Sequence, residues 1–170
     1  KSLSLCPKSD IICLYEIGHG EGRCMHRWEI KLNRYNYLSG EINALYHEMA
    51  VMVGISDSVQ NILYVMCGNG GQCLQSDIYK LSGISRQTIN SAIRKLEDDD
   101  IVYLKQGPGR NKIVCLTEKG ETFASEKVCP LFEIENKIFD EWSLEEQDEY
   151  LRLTQKYRDL LKKHLTDLAP

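Results

Sequence analysis

Between Ser85 and Arg94 the sequence reads Ser-Arg-Gln-Thr-Ile-Asn-Ser-Ala-Ile-Arg, a run dense in hydrogen-bonding side chains. On a helix capped by Ser85, the residues Ile89, Ala92, Ile93 and Leu96 fall at i, i+3, i+4 and i+7 and turn inward. Gln87, Asn90, Ser91 and Arg94 then share the opposite face. Glutamine and asparagine amides can bond adenine in pairs in a major groove, and arginine does the same for guanine. The first turn, with Ser85, Arg86 and Thr88, offers free backbone N–H groups and the positive end of a helix dipole, both suited to phosphate. Ser76, near the start of the preceding helical segment, offers a similar contact. Arg110 and Lys112 follow a Gly107-Pro108-Gly109 turn and suit a minor groove or its flanking phosphates.

Other reactive side chains form weaker patterns. The seven cysteines are odd in number and include no CxxC pair, which argues against a disulfide framework or a zinc knuckle. Cys13, His19, Cys24 and His26 lie near one another but match no metal-ligand spacing, so no metal is expected. Cys24, flanked by Arg23, His26 and Arg27, is the candidate for a redox-sensing thiol, because neighbouring cations favour thiolate. Cys67, Cys73, Cys115 and Cys129 read as core packing. No nucleophile–base pair or phosphate-binding loop stands out, so neither an enzyme nor a cofactor is expected.

These groups need elements to hold them. Tyr35, Leu38, Ile42, Leu45, Tyr46, Met49 and Val53 recur at spacings of three and four, predicting a long amphipathic helix over 28–53 that Gly54 ends. Ser56 and Asp57 start a second helix, with Val59, Ile62, Leu63 and Met66 inward, and Gly68-Asn-Gly-Gly71 stops it. A short helix runs from about Gln75 to Leu81, with Ile78 and Leu81 inward, and Ser82-Gly-Ile84 turns the chain into the helix capped by Ser85. Glu97 to Asp100 reads as a solvated helix end facing away from phosphate. Two β-branched runs, 101–104 and 113–116, predict a hairpin. Thr117 caps a helix that continues through Pro130 to about Trp142. The capping box Ser143-Leu-Glu-Glu146 opens a last helix that buries Tyr150, Leu153, Tyr157, Leu160, Leu161 and Leu165. Helix, turn, helix and then hairpin is a winged helix.

Three segments, in this order, resemble the MarR family of bacterial regulators. Gly54-Ile-Ser-Asp-Ser58 is similar to the entry into the family's second helix, and Ser85 to Glu97 resembles its recognition helix. Leu116-Thr-Glu-Lys-Gly120 resembles its step from wing into the next helix. Two departures stand out. The wing tip keeps only Arg110 of the family's usual acid–arginine pair, and Glu97-Asp-Asp-Asp100 stands where a glycine often ends the recognition helix. The resemblance implies an α+β, mostly α fold, with a winged helix-turn-helix over about 57–119 and dimerisation helices over about 28–53 and 118–166. It covers roughly Trp28 to Leu165, and 26–170 is expected as one domain with 1–25 as an extension.

The resemblance further implies a homodimer on a pseudo-palindromic double-stranded DNA operator, acting as repressor or activator, with release by a small-molecule effector. Tyr35, His47, Tyr64 and Met66 are candidates by residue type for the effector pocket. A thiol-sensing regulator through Cys24 and a winged-helix protein-assembly module are the alternatives. The net charge of −4 argues against indiscriminate nucleic-acid binding. Its distribution is uneven: 77–112 carries seven basic against five acidic residues, whereas 118–167 carries thirteen acidic against eight basic. That suits a protein touching DNA with one face. No apolar run approaches the roughly 20 residues that span a bilayer, and the first residues lack the apolar stretch of a signal peptide, so a cytoplasmic protein without a membrane partner is expected.

Overall fold

The structure, a computed structural model, describes residues 27–167. The chain divides into two compact units, Lys1–Met52 and Val53–Pro170. In the first, α1 (Arg27–Val53) is a single helix on which Tyr35, Leu38, Ile42 and Leu45 are exposed. Cys13, His19, Cys24 and His26, with the expected extension 1–25, lie outside the described residues.

The second unit holds α2 (Asp57–Gly68), β1 (Gln72–Leu74), α3 (Gln75–Ser82), α4 (Arg86–Asp98), β2 (Val102–Gln106), β3 (Lys112–Leu116), α5 (Glu118–Lys127), α6 (Cys129–Asp140) and α7 (Leu144–Thr166). Local chemistry sets most boundaries. The Ser56 hydroxyl accepts from the Val59 N–H, Ser85 from Thr88, Thr117 from Gly120 and Ser143 from Glu146. Each such cap stabilises its helix by about 1 kcal/mol. Gly83 closes α3 with φ +65°, the left-handed region that glycine enters without strain.

The core lies beneath α4. Ile62, Leu63 and Met66 of α2, Ile78 of α3, Ile89, Ile93 and Leu96 of α4, and Val114 of β3 pack into one buried cluster with Ile101, Val102 and Val128. The inward set expected for α4 is the buried set observed. Leu81, expected inward, is 65% exposed in the last turn of α3, so Ile78 anchors that helix with Tyr79 packed beside the core.

Three expectations change. The hairpin is part of a three-stranded antiparallel sheet in the order β1-β3-β2, with Cys73 opposite Val114 and Leu104 opposite Val114 on its other side. The helix expected from Thr117 to Trp142 breaks at Val128, and Pro130 occupies the first turn of α6, where its missing N–H costs nothing. On α7, Tyr150, Leu153, Tyr157, Leu160, Leu161 and Leu165 are all between 44% and 55% exposed rather than buried. No residue of α7 is buried; Phe139 of α6 and Trp142 pack on Tyr150 at its start. Among the described residues, no single helix is long and apolar enough to cross a membrane.

Candidate nucleic-acid interface

With Ile89, Ala92, Ile93 and Leu96 committed to the core, α4 leaves Arg86, Gln87, Ser91 and Arg94 exposed. The face read from sequence as polar and outward is therefore built as such, except at Asn90. Asn90 is half-buried, and its side-chain oxygen accepts two hydrogen bonds from α3: one from the Tyr79 hydroxyl at 2.6 Å and one from Gln75 Nε2 at 2.9 Å. The pairwise adenine contact expected of Asn90 needs that same oxygen as acceptor, and both its lone pairs are taken. Arg86 lies over the Tyr79 ring at 5.6 Å, a cation–π contact that holds the guanidinium beside the helix start. Ser85 and Thr88 bond each other through their hydroxyls at 2.8 Å while Ser85 caps the helix, so their first duty is to the helix end. Ser76, half-buried, sits in the first turn of α3 with its hydroxyl 3.5 Å from Asp77.

The wing tip is held by its own hydrogen bonds. Gly107 N–H donates to the Asn111 carbonyl at 2.9 Å, Asn111 N–H to the Pro108 carbonyl at 3.2 Å, and the Gln106 amide to the Gly109 carbonyl at 2.8 Å. Gly107 sits in a tight space, since a β-carbon there would lie 3.0 Å from the Asn111 carbonyl oxygen and would push that neighbour back by a few tenths of an ångström. Arg110 stands exposed on this tip and Lys112 exposed at the start of β3.

Wing and helix meet in a cleft of about 290 Å³ lined by Gln75, Tyr79, Asn90, Ile93, Arg94, Glu97, Leu104 and Lys112. Asn90 and Arg94 of the helix and Lys112 of the wing, picked from two stretches of sequence, thus share one concavity. Glu97 joins them there, half-buried, instead of facing away with the solvated helix end; Asp98, Asp99 and Asp100 are exposed. Asp100 adopts φ +56°, its N–H bonding the Glu97 carbonyl and that of Ile101 bonding the Leu96 carbonyl. This is a Schellman end with aspartate in the place where glycine was expected.

The effector candidates fall on two elements, Tyr64 and Met66 on α2 and Tyr35 and His47 on α1. Tyr64 stacks on Phe132 of α6 at 4.4 Å and donates to the Glu135 carboxylate at 2.6 Å. Met66, two residues on and therefore on another face of α2, is fully buried in the core. Tyr35 and His47 belong to α1, in the other compact unit. Among the cysteines, Cys67, Cys73, Cys115 and Cys129 are free thiols. Burial, then Asp77 and Cys115, pushes the Cys73 thiol up to about 11, and burial, then Cys129, raises that of Cys67. Both are protonated at neutral pH, the opposite of what a sensing thiolate needs. Among the described residues, no cluster of three or more histidine, cysteine or acidic side chains is placed to hold a metal ion.

Residues 53–110, from the start of the second unit through the wing tip, match the sequence profile of the MarR family. Over that segment the chain is similar to the MarR family. Its architecture is similar to that of NMB1585, a MarR family regulator from Neisseria meningitidis, at 15% identity and a TM-score of 0.73 over 82% of this chain and 99% of the other. It is also similar to AbsC, a MarR family transcriptional regulator from Streptomyces coelicolor, at 17% identity and a TM-score of 0.65 over 84% and 99%. A third similar structure is the S. aureus MepR–DNA complex, at 19% identity and a TM-score of 0.59 over 76% and 96%. No curated protein matches the sequence.

Within this MarR-type winged helix, sequence reading missed Gln75 and Tyr79 as members of the site. Their separation by four residues puts both on one face of α3, a legible signal. That the face meets Asn90 depends on how α3 crosses α4.

Proposed function

We propose that this protein is a sequence-specific double-stranded DNA-binding transcriptional regulator, acting as a homodimer on a pseudo-palindromic operator and released from it by a small-molecule effector. One observation carries the reading. The face of α4 opposite the core stands exposed, and its Arg94 lines the same cleft as Lys112 at the edge of the wing. A helix with its inner face fixed and its outer face polar, beside a hairpin carrying cations, is what a major groove and adjoining phosphates accommodate.

In this reading Gln87 and Arg94 meet base edges. Arg86, held against Tyr79, and Arg110 and Lys112 on the wing meet phosphates. Ser76, Ser85, Thr88 and Ser91 flank these contacts, with the Ser85–Thr88 pair fixing the helix start whose N–H groups face a phosphate. The exposed apolar stripe of α7 supports the dimer, since six large apolar side chains on one helix need cover. Two such wings about one DNA turn apart, roughly 34 Å, fit consecutive half-sites.

The deciding experiment measures binding to selected duplexes at several salt concentrations. Affinity should fall steeply with salt. Arg110→Ala should weaken every sequence about equally and make the log–log slope shallower by about 0.9 for each phosphate it ceases to neutralise. Gln87→Ala should instead change which sequences are preferred. Binding that ignores both substitutions and salt would leave the winged helix as a protein-assembly module.

A further inference from the structure

The bonds on Asn90 give it a narrower role than its residue type suggests. Its oxygen is occupied twice from α3, by the Tyr79 hydroxyl and the Gln75 amide, so what remains for a ligand is the Nδ2 amide with two hydrogens to donate. Asn90 lines the cleft between α4 and the wing beside Arg94 and Lys112. Resting on the DNA-reading function proposed above, we infer that Tyr79 is a positioning residue that sets the base preference of Asn90: by occupying the asparagine oxygen it turns an adenine-type reader into a pure donor. A pure donor favours base edges that present acceptors alone in the major groove. Guanine offers N7 and O6 side by side and thymine offers O4, whereas adenine pairs its N7 with an N6 amino donor that Asn90 can no longer accept.

Tyr79 has a second tie to the same surface, because Arg86 lies over its ring. Removing the ring would disturb that cation as well, whereas Tyr79→Phe removes only the hydroxyl and leaves the stack in place. Phenylalanine at 79 frees one lone pair on the asparagine oxygen and restores an acceptor toward the groove.

The test is selection of bound sequences from randomised duplexes by the full chain, by Tyr79→Phe and by Asn90→Ala. Asn90→Ala identifies the position in each half-site that Asn90 reads. At that position the wild type should favour guanine or thymine over adenine. Tyr79→Phe should raise adenine there by about two- to tenfold, the worth of one net hydrogen bond, and leave other positions and the salt slope unchanged. Three results would each overturn the inference: adenine already preferred there by the wild type, a uniform loss of affinity in Tyr79→Phe, or no position responding to Asn90→Ala. A wild type that selects no sequence at all would remove the DNA-reading function itself. A wild type that selects sequences while Tyr79→Phe keeps its profile would remove only this role of Tyr79.

Discussion

Gly120 in the first turn of α5 lies so close to the Ile101 carbonyl that a β-carbon on it would stand 2.0 Å from that oxygen. The contact joins the residue leading into β2 to the helix that follows β3, and so closes the base of the wing. Thr117 reinforces it, its hydroxyl donating to the Asp100 carbonyl at 2.7 Å while accepting from the Gly120 N–H at 2.9 Å. Lys119 adds a bond to the Asp99 carbonyl at 2.6 Å. The Leu116-Thr-Glu-Lys-Gly120 step is therefore a clamp between the end of α4 and α5.

Gly120→Ala should cost about 1–3 kcal/mol or more, the range for overpacking, because the clashing partner is backbone and has no rotamer to yield. Urea denaturation reads the destabilisation directly. Stability equal to the wild type would mean that the base of the wing separates freely from α5.

Asp100→Gly should stabilise the protein by about 1 kcal/mol, since aspartate there holds φ +56° and glycine reaches that conformation without strain. The urea midpoint should rise with an unchanged slope. A fall would show that the Asp100 side chain contributes more than its backbone conformation costs.

Cys73 gives the protein an alkaline weakness. Its thiol is raised from the ordinary 9.0 to about 11, first by burial and then by Asp77 and Cys115. The folded state thus holds this proton more tightly than the unfolded one. The associated stability is complete below pH 9.0 and is lost as pH rises from 9.0 toward about 11. Cys73→Ser should flatten the decline of stability between about pH 8 and about pH 10.5. An identical decline in the variant would assign it to other groups.

Leu153 and Leu160, each about half-exposed on α7, test the proposed dimer. Replacing both by glutamate should convert the dimer to monomer in sedimentation equilibrium and abolish tight binding to a palindrome while single half-sites are still bound weakly. A dimer that survives the double substitution would move the interface elsewhere.

What could be read from the sequence alone was local. The caps at Ser56, Ser85, Thr117 and Ser143 and the inward face of α4 follow from spacings of three and four within one helix, and the structure forms them. The hairpin was legible because β-branched runs flank a Gly-Pro-Gly turn. Tertiary structure decided the rest. The three residues of β1 carry little strand signal and owe their conformation to pairing with β3, some forty positions away. The break before Pro130 was encoded locally, yet a proline in a helical pattern can kink a helix or begin a new one, and packing of Val128 into the core selected the second. Asn90 is the clearest case: its residue type offers an acceptor and a donor, and only the crossing of α3 over α4 determines which is left for a partner. A side chain's chemistry is set by composition, but its unspent hydrogen-bonding capacity is set by neighbours that the chain brings from afar.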